Sequence, residues 1–368
     1  VRTLKKIAVV AEDYALQTPA QQLVDRFLIG YPADGAFHRP KDCEITIYLR
    51  DSADNRELDQ RSREFGLRRA SDLAAALLDA DGVMIFGKGA AINPDSALLR
   101  ETIQRARPGS ACFVYGALSS TLEAAKQLAG LAEKQRVPLM AGTSLPFTWR
   151  LPSGDLALGT RLKEALIVIQ GLPLKAELDG LDGLLPLIAR RRGGESGIRQ
   201  LQSFKGSALW RAGDERVWSW KLLASALSRS NSPQGDPVKD GRTQDLAGLG
   251  LVPKLARDPR GWVLEHHDGL KSTILVLDGV VADYNFALEA RDGTITSAQI
   301  YRPPAPAQHE FSQLAEGIED FFRTAKTRWP TEASILTAGL LEVFGKTSPQ
   351  EHEVAQTPEL KIAFQTPR

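Results

Sequence analysis

Over its first 145 or so residues the chain alternates short apolar runs with single amphipathic segments, and this rhythm constrains its fold more than any other feature. Ile7–Val10, Ile45–Leu49, Val83–Phe86, Ala111–Tyr115 and Val137–Ala141 are apolar almost throughout, as strands buried on both faces are. Between them lie helix patterns. Thr18 caps and Pro19 opens a helix through Gln21–Leu28, and Glu57–Phe65 is stopped by Gly66. Ser71 caps Leu73–Leu78, and Asp95–Arg105 and Thr121–Lys134 follow. Strands separated by single helices do not pair as hairpins. They specify an α/β, Rossmann-like, doubly wound parallel sheet.

After Pro146 the texture changes. Leu156–Gly159 and Glu164–Ile169 read as strands, and Gly180–Arg191 as an apolar helix closed by Gly193-Gly194. Strand patterns continue at Ile198–Phe204, Trp262–His267, Lys271–Leu277, Tyr284–Ala290 and Thr296–Tyr301. Asp268-Gly269 and Asp292-Gly293 sit between such runs as hairpin turns, so this part is α+β with a mostly antiparallel sheet. Ser228–Gly250 reads as a long loop, and Phe311–Thr324 and Glu332–Phe344 as late helices. At 368 residues the chain exceeds one ordinary core, and the expected division is 1–145 and 146–368. In this layout a ligand lies between the halves, at the carboxyl ends of the first domain's strands. An open second-domain sheet would also offer a surface for a homo-oligomer.

Charge excludes some partners. With 46 basic against 45 acidic residues, the one-signed excess that nucleic-acid or membrane-surface binding needs is absent. The only cysteines, Cys43 and Cys112, sit beside or within apolar runs and form no C-x-x-C pair. Neither a signal-peptide pattern nor a membrane-length apolar stretch stands out, and a reducing, cytoplasmic setting is expected.

Across nearly its whole length the order and texture of the chain resemble the glucose–fructose oxidoreductase / inositol dehydrogenase (Gfo/Idh/MocA) family. The local carriers are Glu64-Phe-Gly66 into Ala70–Asp81 and Val83-Met-Ile-Phe86, then Thr121-Leu-Glu-Ala-Ala125, Leu131-Ala-Glu133 and Val137-Pro-Leu-Met-Ala-Gly142. Arg190-Arg-Arg-Gly-Gly-Glu195 and Leu209-Trp-Arg-Ala-Gly213 look like a bacterial side branch of it. The resemblance implies a dinucleotide-binding domain, NAD(P) and hydride transfer on a carbohydrate or polyol.

Three departures bear on that implication. The G-x-G-x-x-G turn expected after strand one is replaced by Ala11-Glu-Asp-Tyr-Ala-Leu-Gln-Thr18, which has no glycine and adds Glu12, Asp13 and Tyr14. The family's Glu-Lys-Pro turn aligns with Tyr115-Gly116-Ala117, which has no lysine. The family's histidine on the first helix of the second domain aligns with Leu178-Asp-Gly-Leu-Asp-Gly183. The cofactor therefore stays open, and the strand-one turn does not support NAD(P).

Each candidate residue has a plainer alternative. Asp51 ends strand two, where an acid can hold ribose hydroxyls, but strand-ending turns commonly carry aspartate. Lys88, between two glycines after strand four, can serve as acid or base, or simply be a solvated lysine. Trp149-Arg150 and Trp210-Arg211 offer a ring for the C–H face of a sugar and a guanidinium for its oxygens. They equally suit interface packing. Asp179 and Asp182 share a helix face at what reads as its first turn, where acids also complement the dipole. His309, beside Glu310, can line a cleft or lie on the surface at a helix start. His266-His267 face opposite sides of a strand, so a shared metal site is not expected, and no other metal site is read. Gly193-Gly194 can form an anion nest or a helix C-cap. Two hypotheses stand: an enzyme on a carbohydrate or polyol, either using NAD(P) in an altered cleft or doing non-redox acid/base chemistry with Lys88, Asp179 or His309, or a non-catalytic sugar-binding or partner subunit.

Overall fold

The computed structural model describes residues 3–33, 35–40, 43–50, 55–89, 91–232, 245–347 and 351–366. Their contacts define two compact units, Val1–Thr148 with Arg302–Ala338, and Trp149–Tyr301 with Gly339–Arg368. The expected boundary at 145/146 places everything after it in the second domain. In the structure, the chain returns to the first unit at Arg302.

The first unit runs β1 (Lys6–Ala11), α1 (Pro19–Leu28), β2 (Tyr31–Ala33), β3 (Ala36–His38), β4 (Glu44–Leu49), α2 (Arg56–Phe65), β5 (Arg68–Arg69) and α3 (Leu73–Leu77). It continues through β6 (Gly82–Phe86), α4 (Ser96–Arg105), β7 (Ala111–Tyr115), α5 (Leu122–Lys134) and β8 (Leu139–Gly142). Six strands form one parallel sheet in the order β5-β4-β1-β6-β7-β8: five are the expected apolar runs, and the sixth, β5, is a short exposed pair of arginines at the edge that no apolar run announces. Alternate strand residues face opposite layers. Ile7, Val9, Ile45, Ile47 and Met84 meet Leu23, Val24 and Phe27 of α1, while Ala8, Val10, Val83 and Ile85 meet residues of α3, α4 and α5. Two local expectations change. Asp72, not Ser71, caps α3, because its carboxylate accepts the Ala75 N–H at 2.9 Å. The short β2–β3 pair is antiparallel, a hairpin apart from the main sheet in a segment that the strand pattern passes over.

The second unit contains β9 (Arg150–Leu151), β10 (Leu162–Ile169), α6 (Lys175–Ile188), β11 (Ile198–Lys205), α7 (Ser207–Asp214), α8 (Trp220–Leu227) and α9 (Val252–Leu255). β12 (Arg257–His266), β13 (Lys271–Asp278), β14 (Tyr284–Ala290), β15 (Ile295–Ile300) and β16 (His352–Gln356) complete an eight-stranded sheet, ordered β16-β11-β12-β13-β10-β14-β15-β9. All its neighbours are antiparallel except β10 and β13. Leu156–Gly159 is no strand; the Thr160 N–H closes a turn on the Ala157 carbonyl at 3.2 Å. Of the expected 228–250 loop, residues 233–244 lie outside the described residues. At β10 the sheet is covered on both faces. Leu166 and Val168 face the cluster made by α7 and α8, whereas Ile167 and Ile169 face α6, so helices lie on both sides.

α6 begins at Lys175, five residues before the expected start. The glycines that read as a helix start are packing notches. A Cβ on Gly180 would stand 2.8 Å from Ile274 and 3.0 Å from Ile169, so only glycine lets α6 lie this close to the sheet.

Two late helices remain, α10 (Glu310–Thr324) and α11 (Thr331–Thr347). α10 belongs to the first unit, where Phe311, Leu314, Ile318, Phe321 and Phe322 join the cluster on the α1 side of the parallel sheet. No helix among the described residues is long and apolar enough to cross a membrane.

Candidate functional site

The order of the parallel sheet reverses between β1 and β6, and in such sheets the crevice beyond these strand ends takes a dinucleotide. Its diphosphate would need backbone N–H groups in the turn after β1 and at the start of α1. Here that turn carries two carboxylates, which tie it to the loop after β6, and some of its own N–H groups are already used. The Asp13 carboxylate accepts the Gly89 N–H at 2.8 Å, and the Glu12 carboxylate accepts the Asp95 N–H at 3.0 Å. Arg50 pairs with Asp95 at 2.8 Å and with Glu12 at 3.5 Å. The Glu12 N–H reaches the Phe86 carbonyl, the Gln17 N–H reaches Gln21 Oε1, and Pro19 has no N–H to give. Tyr14 is buried and donates to Asp25 at 3.2 Å, while Arg61 holds the same carboxylate at 2.8 and 3.0 Å. Burial, reinforced by the Asp25 charge, pushes the Tyr14 phenol far above its ordinary range. These residues do not fit a diphosphate. Asp51, expected to hold ribose, lies outside the described residues.

The turn after β7 is also committed. The Tyr115 ring stacks with Phe86 at 6.2 Å and with Phe311 at 5.9 Å. Gly116 has φ +98°, and a Cβ there would stand 2.2 Å from the Ile92 carbonyl oxygen, which itself accepts the Ala117 N–H at 2.7 Å. Lys88 is exposed in the loop after β6, where its carbonyl accepts the Ala91 N–H. Half-buried His309 directly precedes α10, and its Nδ1 has no hydrogen-bond partner among the described residues. Its neighbour Glu310 is buried and pairs with Arg302 at 3.6 Å; burial raises its carboxyl pKa.

In the second unit, Trp149 is 41% exposed and Arg150 only 7%. The Tyr301 N–H donates to the Trp149 carbonyl at 2.9 Å, which sets the two rings 6.5 Å apart and tilted by 54°. Arg150 pairs with Asp155 at 3.7 Å, and burial lowers the guanidinium's pKa against that carboxylate's pull. Trp210 belongs to a different group: it stacks on Trp220 at 5.9 Å, which in turn meets buried Trp218 at 4.6 Å, while Arg211 is exposed. Asp179 lies in the second turn of α6, where the dipole reading no longer applies. Its buried carboxylate accepts from Tyr284 Oη at 3.0 Å and pairs with Lys175. Asp182 is half-buried farther along. The expected acid/base groups thus divide, Lys88 and His309 in the first unit and Asp179 in the second.

Sequence reasoning missed one constellation, buried in the second unit. Glu195 Oε1 meets His266 Nδ1 at 2.8 Å, and His266 Nε2 meets Ser272 Oγ at 2.8 Å. Arg191 pairs with Glu195 at 3.1 Å and with Asp268 at 2.7 Å. Its carboxylate–imidazole–hydroxyl order is that of a hydrolytic triad, but Glu195, His266 and Ser272 are all buried, so the chain closes a structural junction. Gly194 serves the same junction rather than an anion nest: a Cβ there would lie 2.5 Å from the Phe364 carbonyl oxygen. Arg191 and Glu195 stand four apart in sequence, but beyond the end of α6 and across Gly193-Gly194, so that spacing is not a helical pairing signal.

No protein-family model and no curated protein matches the chain. Solved structures do. A probable dehydrogenase from Thermotoga maritima matches with TM-score 0.57 at 13% identity, covering 96% of this chain and 99% of that one. Myo-inositol dehydrogenase from Lactobacillus casei, solved with NAD(H) and myo-inositol, matches with TM-score 0.56 at 12% identity over 96% of each chain. Biliverdin reductase from Synechocystis sp. PCC 6803, solved with biliverdin and NADP+, matches with TM-score 0.52 at 15% identity, covering 93% and 98%. The chain has the fold of the Gfo/Idh/MocA-type oxidoreductases.

Proposed function

We propose that this chain binds, or acts on, a small polyol or sugar without ordinary NAD(P) hydride transfer. The observation that carries the reading is the aromatic pair at the edge of the second unit. Trp149 and Tyr301 offer tilted rings to C–H faces, and Arg150, adjacent in sequence, offers a guanidinium to oxygens. A fold neighbour solved with myo-inositol supports the ligand class. The reading of a non-catalytic binding or partner subunit is favoured by one further observation. Asp179 is tied to Tyr284 and Lys175, which leaves it poorly placed as an acid or base. The unbridged thiols of Cys43 and Cys112 suit a cytoplasmic setting.

The test is calorimetric titration of myo-inositol and related polyols and sugar acids into the parent, Trp149→Ala and Arg150→Ala, beside an assay for product. Loss of the guanidinium leaves a bound oxygen unpaired and should weaken binding by about 1–3 kcal/mol. Unchanged affinity in both variants removes this site.

A further inference from the structure

We infer that Glu12 and Asp13 are an internal anion that closes the dinucleotide crevice of the first unit, so that no nicotinamide dinucleotide binds there. At a topological switch point, a diphosphate sits against the turn after the first strand and the N-terminus of the helix that follows. In this chain the turn after β1 and the loop after β6 are instead joined to each other. Asp13 takes the Gly89 N–H at 2.8 Å, and Glu12 takes the Asp95 N–H at 3.0 Å. Both are charge-assisted hydrogen bonds, the stronger kind. Arg50, the cation from the end of β4, pairs with Glu12 and Asp95. The carboxylates therefore put negative charge into the turn that a diphosphate would approach, and they bind that turn to the loop after β6.

A diphosphate entering here would have to displace these two carboxylates and would meet their charge while doing so. Tyr14 adds a second barrier. Its ring is 4% exposed, its phenol is bonded to Asp25, and Arg61 clamps Asp25 from α2. The Asn55 side chain further fixes the Tyr14 carbonyl at 2.7 Å. Several independent contacts hold one turn shut, so a single side-chain rotation does not open it. This inference is separate from the polyol reading, because a polyol at Trp149 and Arg150 does not require the crevice.

The experiment uses the full chain. NAD+, NADH, NADP+ and NADPH are titrated calorimetrically to about 1 mM, and thermal unfolding is followed with and without each. The expected result is no saturable heat and no rise in Tm. A dissociation constant below about 100 µM for any of the four overturns the inference. A second arm tests the internal anion itself. Glu12→Gln and Asp13→Asn remove the charge and leave the shape, and each should lower the Tm of the unliganded protein. An unchanged Tm in both would show that the carboxylates do not hold the turn, and would overturn that part. Because the titration uses the unmodified chain, poor folding of a variant leaves the main outcome readable.

Discussion

Glu195 sits with its side chain wholly buried between Arg191 and His266. Burial alone would raise its pKa, but the imidazole and guanidinium outweigh it and hold the carboxyl at about 2. A depressed folded-state pKa means that the charge stabilises the fold above the unfolded value of about 4.5, and that this contribution is lost as pH falls toward about 2. Denaturant unfolding should therefore show stability declining through that window, with Glu195→Gln flattening the decline. Glu195→Ala should cost about 3–5 kcal/mol at neutral pH, because it leaves buried Arg191 without that partner. Arg191 and Glu195 are near neighbours in sequence, but His266 and Ser272 come from a hairpin far along the chain. Periodicity carries no information on such a pairing. The same is true of Tyr301 beside Trp149, and of Arg50 beside Glu12.

Among elements, strands were the most legible, because runs such as Ala111–Tyr115 are apolar for the same reason that they are buried on both faces. α6 was less legible. Glycine disfavours helix interiors, so Gly180 and Gly183 read as a beginning, whereas close packing on Ile274 and Ile167 outweighs their propensity. This yields a test with an unusual sign. At an open helix site Gly→Ala stabilises by roughly 1 kcal/mol. Gly180→Ala should instead destabilise by about 1–3 kcal/mol in chemical denaturation, since the added methyl meets Ile274. Stabilisation would mean that the helix can lift from the sheet at no cost. The glycine-free turn after β1 was legible as a departure. Which donors its carboxylates reach depends on the loop after β6, and local pattern does not reveal that.

For the whole molecule, chain order misleads. α10 was recognised as a helix, yet its place follows from the bare α1-side face of the first sheet, where Phe311, Phe321 and Phe322 join the cluster. A fragment of residues 1–148 should therefore lack a cooperative thermal transition by circular dichroism. Joining residues 302–338 to it through a flexible linker should restore one; a sharp transition in the short fragment alone would show that α10 is dispensable. The same arrangement has a consequence for the protein's birth. When Thr148 leaves the ribosome, the segment that completes its unit has not been made, and roughly 150 residues must come first. At about 5–20 residues per second, the apolar face meant for α10 waits on the order of ten to thirty seconds uncovered. During that interval the nascent chain is a client for whatever in the cell shields unfinished hydrophobic surface.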